Sequence, residues 1–253
     1  MLDDLRGRRI LVTGASQGIG AAVAIGLGRL GAHVAVHFNT NKAAAEDVVA
    51  TVRSGGSHAL LLSGNLASSA EARDVVERAA IGLGGIDTLV NIAGGPVRRV
   101  SSEDIDDALF EDVVNLNARA VVTMTNAARA HLRARQGSVV NTLSYAAMTG
   151  SALALVYSGA KAFVSTTTRS FALDLAADGI RVNAVSPGVI MTPFHHNNSS
   201  PEWLEKMRNS IPLKRIATAE ECVGAYAFLA SNAMSGYITG QTIEVNGGLI
   251  MPR

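Results

Sequence analysis

The sequence is poor in cysteine, aromatic residues and charge, and each shortage excludes something. Cys222 is the only cysteine among 253 residues, so no internal disulfide can form, and no Cys/His spacing of a zinc site is present. Charged residues make up 17%, against about 25% in an ordinary globular chain. Neither sign dominates: 22 Lys+Arg face 21 Asp+Glu, giving a formal net charge of +1. That balance, with no basic block, excludes the clustered cations on which nucleic-acid affinity depends. Long apolar runs are missing as well. The two long charge-free stretches, 136–160 and 182–201, are studded with Asn, Ser, Thr and Gly. A lipid-facing helix avoids such residues, so both read as the dry lining of a site rather than as membrane spans. The opening residues MLDDLRGRR carry early acids and no apolar core of a signal peptide. A cytoplasmic location, without nucleic-acid, membrane or metal partners, is the expectation.

Hydrophobic residues, at 48%, are plentiful. A chain of this size buries roughly 70% of the surface that its unfolded form exposes, enough for one large core, and residues 1–253 read as a single domain. Apolar runs of four to seven residues alternate with segments of helical period, the pattern of an α/β fold whose parallel sheet is covered on both faces. Strands are predicted at 9–12, 33–38, 58–62, 88–91, 138–142, 181–185 and 242–245. Helices are predicted at 19–30, 41–54, 69–83, 107–135, 156–177 and 219–230. Ser101 and Asp104 precede acidic first turns, and Gly31, Gly55 and Gly179 sit where helices should stop. Residues 191–212 break the rhythm with three prolines, two adjacent histidines and a short WLEKM helix signal. They read as a lid over a site.

Directly after the first predicted strand stands Thr13-Gly14-Ala15-Ser16-Gln17-Gly18-Ile19-Gly20. Glycines there let the backbone approach a ligand where a Cβ would clash. The helix that follows aims free N–H groups and its positive dipole end at the same spot, a place for a pyrophosphate. A tight turn without any nucleotide is the plain alternative. The same residues also spell Gly14-x-Ser16-x-Gly18, the nucleophile elbow of α/β-hydrolases. No earlier strand supplies an oxyanion loop for such an elbow, and only His195 and His196 come late enough to complete a triad. An NAD site places an acid about 20 residues beyond the last glycine, to grip the ribose 2′-hydroxyl. Here the second strand ends His37-Phe38-Asn39-Thr40-Asn41-Lys42, with no acid before Glu46. Asn39, Thr40 or Lys42 suits a 2′-phosphate, yet no arginine stands there and Gln17 fills a loop position where a base would help. NADP is therefore favoured over NAD only narrowly.

Tyr157 and Lys161 are four residues apart and share one face of a helix. Ser144 ends the preceding strand, where parallel-sheet enzymes place their ligands. A phenol with a pKa of about 10 is a poor acid–base catalyst at neutral pH. An ammonium about 5 Å away, at an effective dielectric near 20, contributes roughly 3 kcal/mol, or about 2 pKa units. That shift brings the phenol towards its working range. The alternative is a surface Tyr/Lys pair with a serine satisfying a backbone group.

Taken together these residues resemble the short-chain dehydrogenase/reductase family over nearly the whole chain. TGASQGIG resembles its cofactor loop, and Asn91-Ile92-Ala93-Gly94 its Asn-Asn-Ala-Gly element, with Ile92 in place of the second asparagine. Asn117 matches the family's helix asparagine, and Ser144, Tyr157 and Lys161 its catalytic serine, tyrosine and lysine. Pro187-Gly188, with Ile190 and Thr192, resembles the segment that holds the nicotinamide amide. YITGQTIEVNGG resembles the last strand, with Asn246 where aspartate is more usual; Asn65, beside Leu66, likewise replaces an aspartate near the adenine.

The resemblance implies a Rossmann-type doubly wound parallel sheet of about seven strands, with helices on both faces. It implies a nicotinamide cofactor held by Thr13, Gly14, Ser16, Gln17, Gly18, Ile19 and Gly20, and by Phe38, Asn39 and Thr40. Asn65, Leu66, Asn91, Ala93, Gly94, Tyr157, Lys161, Pro187, Gly188, Ile190 and Thr192 complete that set. Tyr157 would exchange a proton with the substrate oxygen, Ser144 would hydrogen-bond it, and Lys161 would lower the tyrosine pKa. Asn117 would anchor a water in a proton relay. The resemblance also implies a homotetramer built on the helices that contain Asn117 and Tyr157. The stripe Val113, Leu116, Ala120, Met124 and Ala127 fits such an interface, and fits core packing equally well.

For substrate binding, Met148, Phe194, His195 and Trp203 are the candidates; Arg98 or Arg99 could meet an anion, with solvated surface the first reading for both. A polar lid with His195, His196, Asn197, Asn198 and Ser199 tilts the expectation to a small hydroxylated, sugar- or polyol-like substrate. Reduction of a 3-oxoacyl thioester on an acyl carrier protein is the second reading, with Arg129, Arg133 and Arg135 as its basic patch. A non-catalytic NAD(P)-sensing protein is the third.

Overall fold

The structure is a computed structural model that describes residues 2–251, apart from the side chains of Phe194, Asn197 and Asn198. Its strands are β1 (Arg9–Val12), β2 (His33–Phe38), β3 (Ala59–Ser63), β4 (Thr88–Asn91), β5 (Ser138–Thr142), β6 (Arg181–Pro187), β7 (Ile190–Met191), β8 (Ala217–Thr218) and β9 (Thr242–Val245). Seven of them form one sheet in the order β3-β2-β1-β4-β5-β6-β9, and the short β7 and β8 pair apart from it. Every pairing in the large sheet is parallel. The helices are α1 (Gly18–Arg29), α2 (Lys42–Ser54), α3 (Ser69–Leu83), α4 (Asp107–Val114), α5 (Ala120–Arg133), α6 (Ala146–Thr149), α7 (Leu155–Leu175), α8 (Pro193–Asn198), α9 (Pro201–Ser210), α10 (Val223–Ala230) and α11 (Asn232–Ser235). No helix of the described residues is long and apolar enough to cross a membrane.

Strands that are apolar on both faces need cover on both, and alternate residues of β1 supply the two sides. Ile10 and Val12 pack with α1, α2 and α10, around Val23, Leu27, Val48 and Tyr226. Leu11 faces the other layer, where α3, α5 and α7 contribute Val75, Met124 and Leu175. Strand order reverses between β1 and β4, which opens a crevice beyond the carboxyl ends of the strands.

Three local readings change. β3 starts one residue later than expected and β6 runs on to Pro187. Ser101 and Asp104 begin no α-helix: the Ser101 hydroxyl donates to Asp104 at 2.8 Å, and Asp106 caps α4 by accepting from the Leu109 N–H at 2.7 Å. The single helix expected over 107–135 is interrupted by a π-helical turn at Asn115–Arg119. There the Asn117 carboxamide donates to the Val113 carbonyl at 2.8 Å, entering the helix ladder at that point. The stripe weighed as a subunit interface is mostly core, since Val113, Ala120 and Met124 are buried within the protomer. The segment 191–212, read from sequence as a lid, resolves into α8 and α9, the second capped by Ser200, whose hydroxyl accepts from the Trp203 N–H at 3.2 Å.

Candidate active site

A cleft of about 470 Å³ lies at the carboxyl end of the sheet, running from Asn39, Thr40 and Asn41 past the glycine loop to Ser144, Tyr157 and His195. Its floor depends on two glycines. Gly14 has φ +63, and a Cβ there would stand 2.8 Å from the Ala93 Cα. Gly94 has φ +159, and a Cβ there would stand 2.5 Å from Asn117 Oδ1 and 3.1 Å from Lys161 Nζ. The loop is also tied from below. The Gly14 N–H donates to His37 Nδ1 at 3.2 Å, and His37 Nε2 lies 3.0 Å from the Gly64 carbonyl, so Nε2 carries the proton of a neutral ring. Burial lowers the His37 pKa and keeps it neutral.

The expected dinucleotide residues divide into two groups. Gly14, Ser16, Gln17, Gly18, Ile19, Gly20, Asn39, Thr40, Leu66, Ala93, Gly94, Pro187, Gly188, Ile190 and Thr192 line the cleft. Thr13, Phe38, Asn65 and Asn91 do not. Thr13 is a tie, its hydroxyl accepting from the N–H groups of Ile92 at 2.9 Å and Ala93 at 3.1 Å. Phe38 belongs to the core beside α1 and α2. Asn65 is exposed and spends its carbonyl on the Ala67 N–H. Asn91 is buried, donating to Asn141 at 2.9 Å. Lys42 pairs with Glu46 at 3.5 Å and is not among the lining residues. The glycine cradle, the start of α1 with no side-chain cap at Gln17, and a lining that among the described residues holds no carboxylate fit a nicotinamide dinucleotide.

At the other end, Tyr157 stands on the first turn of α7 and Lys161 one turn further, with Nζ 5.7 Å from the centre of the phenol ring. Lys161 is 3% exposed and donates to the Thr142 carbonyl at 2.9 Å. The Thr142 hydroxyl is in turn 2.7 Å from the hydroxyl of Tyr226, a wholly buried residue of α10. The Ser144 hydroxyl accepts from the Ala146 N–H at 3.2 Å. Asn117 donates to the carbonyls of Gly95 (2.9 Å) and Val113 (2.8 Å) and accepts from the Gly95 N–H (2.9 Å). Both its donor hydrogens are used, so its side chain fixes the Gly94–Gly95 turn.

The electrostatics differ from the expectation. Burial pushes the Tyr157 phenol up to about 12, with the Ser144 hydrogen bond drawing it back only in part, and burial pulls Lys161 down to about 8. Removal from water disfavours phenolate and ammonium alike, and it is the leading cause of both shifts. At neutral pH the phenol is therefore a held proton.

Of the substrate candidates, His195 lines the cleft. Trp203 sits behind it, stacked on the His195 ring with centroids 5.3 Å apart. Met148 is 55% exposed and is not among the lining residues. The side chain of Phe194 lies outside the described residues. Sequence reasoning passed over His37, Thr142, Tyr145, Ser151 and Tyr226. His37 carried the one usable signal, a polar residue inside the apolar run Val34–Phe38 of β2, which is buried throughout. Arg98 and Arg99 part company: Arg98 pairs with Asp106 at 3.0 Å, while Arg99 lines the cleft. Arg129 and Arg133 meet Asp178 at 2.7 and 2.8 Å at the opposite end of the sheet.

Comparison with known proteins agrees with this geometry. A family model described as enoyl-(acyl carrier protein) reductase matches residues 14–250. A 3-oxoacyl-[acyl-carrier-protein] reductase of Synechocystis sp. is 36% identical over 246 residues, which cover 95% of this chain and 96% of that protein. The NADH-dependent reductase A1-R′, responsible for alginate metabolism, is 37% identical and covers 99% of this chain and 100% of its own, with a TM-score of 0.91. Its complex with NAD has a TM-score of 0.89. A short-chain dehydrogenase from Burkholderia cenocepacia, in complex with NADP, is 31% identical over 97% of this chain and 99% of its own, with a TM-score of 0.90. The chain is an NAD(P)-dependent oxidoreductase and belongs to the short-chain dehydrogenase/reductase family.

Proposed function

We propose that the protein interconverts a ketone and a secondary alcohol on a small hydroxylated, sugar- or polyol-like substrate. The observation that carries this reading is the buried Lys161 one helical turn from Tyr157, in a cleft continuous with the glycine cradle. When bound, the nicotinamide supplies or accepts a hydride at the substrate carbon. Tyr157 gives its proton to the substrate oxygen in reduction and takes it back in oxidation. Ser144 donates a hydrogen bond to that oxygen as charge develops on it. Lys161, held by the Thr142 carbonyl, steadies the phenolate left after proton transfer and would help hold the cofactor ribose. Asn117 is a positioning residue that keeps the Gly94–Gly95 turn open beside the reacting groups. A phenol protonated at neutral pH is in the form that reduction requires.

NADP is preferred to NAD, because Asn39, Thr40 and Asn41 line the adenine end with no carboxylate to repel a 2′-phosphate. The protein works in the cytoplasm as a homotetramer. Phe110 of α4 and Phe163 and Leu173 of α7, exposed by 52%, 50% and 83%, are the residues that assembly would cover. The name of the Synechocystis relative favours a second reading, reduction of a 3-oxoacyl thioester.

A panel of sugar-like and simple ketones, alcohols and a 3-oxoacyl thioester, run with both cofactors, tests the reading. Tyr157→Phe should lower kcat on the preferred substrate by about 10³-fold while cofactor binding persists. Unchanged activity removes Tyr157 from the chemistry; turnover of the thioester alone replaces the substrate class. Cofactor binding without turnover of any member makes the protein a sensor. Fluorescence titration with NADH and NADPH decides the cofactor, and tighter NADH overturns the preference stated here.

A further inference from the structure

Among the described residues Tyr226 is the largest wholly buried side chain, set in the apolar layer against one face of the sheet with Val12, Val23 and Val140. A phenylalanine would fill that space equally, and a buried hydroxyl destabilises the fold unless it is hydrogen-bonded. Its partner is the Thr142 hydroxyl at 2.7 Å. Thr142 is the last residue of β5 and ties the two layers of the protein together. Its side chain turns to α10 on one face of the sheet, while its carbonyl accepts from Lys161 of α7, on the other, at 2.9 Å. Two residues further on stands Ser144, in the wall of the cleft. Lys161, Thr142 and Tyr226 are 3%, 6% and 0% exposed, so bulk water replaces neither bond if it is lost.

We infer that Tyr226 is a positioning residue of the catalytic centre, fixing through Thr142 the carbonyl on which the Lys161 ammonium is held. This rests on the roles given above to Tyr157 and Lys161, and adds to them a residue of α10 that is not among those lining the cleft. An ammonium on a flexible stem is only as well placed as its acceptor. Misplacement of a reacting group by about 1 Å costs up to about 10²-fold in rate. The carbonyl also favours the charged form of the amine, against the burial that pulls Lys161 down to about 8. Loosening Thr142 therefore leaves less ammonium beside the phenol. The groups around this pair do not take over that task. Asn117 and Gly94, which face Lys161 from the π turn and the loop after β4, do not titrate. Tyr145 and Arg99 act on the Tyr157 phenol in opposite senses. Cys222, one turn before Tyr226, is a neutral thiol pushed up to about 12 by burial. Burial likewise holds Tyr226 well above the ordinary phenol range, so it stays a neutral hydrogen-bonding group at every working pH.

The test is Tyr226→Phe, which removes one oxygen and keeps the ring. For whichever ketone of the panel above is reduced, kcat should fall about tenfold at pH 7, with KM changed by less than about twofold. The alkaline fall in kcat should set in about 0.5–1 pH unit earlier, the range of one weakened hydrogen bond. Thr142→Val, which removes the other hydroxyl, should give the same shift, and the double variant should add little to it. Thr142→Ser, which keeps the hydroxyl, should restore most of what Thr142→Val loses. Urea unfolding gives a readout that needs no substrate. Measured against Lys161→Met in the same background, the rise in stability that follows loss of the Lys161 proton should begin about 0.5–1 pH unit lower in Tyr226→Phe than in wild type. Asp87→Asn, which weakens the fold at the far edge of the sheet, should leave both pH onsets where they are. Onsets in Tyr226→Phe that coincide with wild type, a Thr142→Val shift that adds in full to that of Tyr226→Phe, or an equal shift in Asp87→Asn overturns this inference alone. Full activity in Lys161→Met overturns it together with the reading on which it rests.

Discussion

At the amino-terminal edge of the sheet arginines and carboxylates meet in pairs, whereas the lining at the carboxyl edge has, among the described residues, two cations and no acid. Arg9, opening β1, grips Asp87 with Nε at 2.9 Å and Nη2 at 2.6 Å. Arg129 and Arg133, ending α5, converge on Asp178 before β6, and Arg129 also reaches Asp174 at 3.1 Å. These pairs bind connections to one another and ask nothing of a ligand. At the cleft, Lys161 is buried beside a phenol that is itself disfavoured as an anion. The first arrangement serves the fold; the second lowers its stability in order to hold chemistry in place.

Variants at the two edges should therefore fail in opposite ways. The largest effect is expected at Lys161. Lys161→Met should reduce kcat by about 10²–10³-fold, and Lys161→Arg by less, with no loss of folding stability at pH 7. The sign follows from the lowered pKa. Between about 8 in the fold and 10.5 in the open chain, the unfolded form binds the extra proton. Wild type should therefore gain about 3 kcal/mol relative to Lys161→Met as pH rises through that window, and hold none of that gain below it. Urea unfolding of both proteins at pH 7 and pH 10 measures this, and a gap that ignores pH contradicts it.

Asp87→Asn should do the reverse, costing about 2–3 kcal/mol of stability with kcat/KM unaltered. Burial pushes the Asp87 carboxyl up, but the hydrogen bonds from Arg9 outweigh it and hold the group below its ordinary value. Its contribution is complete above about pH 4 and fades as pH falls through the lowered value, which an acid titration of wild type against the variant would follow. The smallest effect belongs to Asp178→Asn. Its partners Arg129 and Arg133 are 34% and 56% exposed, and solvent screens such pairs. A calorimetric scan should find the Tm barely moved.

Much of this was legible in the sequence because it is local. The strands announce themselves as short apolar runs, the glycine loop follows the first of them, and Tyr157 and Lys161 share a face by spacing alone. What escaped depends on partners distant along the chain. The π turn requires Asn117 to meet Gly95, 22 positions away. His37 finds the Gly14 N–H across 23 positions, and Thr142 finds Tyr226 across 84. The burial that moves Tyr157 and Lys161 towards their neutral forms is a property of the whole assembled cleft. Arg99 could not be told from Arg98 by composition, since only the fold sets Arg99 in the rim of the cleft and Arg98 against Asp106.

The surplus residue in the π turn has an architectural effect beyond the loop it holds. One added residue rotates everything downstream by about 100° relative to a regular helix. Upstream, Leu109 and Val113 settle against Val156 and Ala160 of α7. Downstream, Met124, Ala128 and Leu132 settle in the layer with α3. A single rod is thereby given two independent azimuths, one for each neighbour, with the asparagine acting as the splice between them.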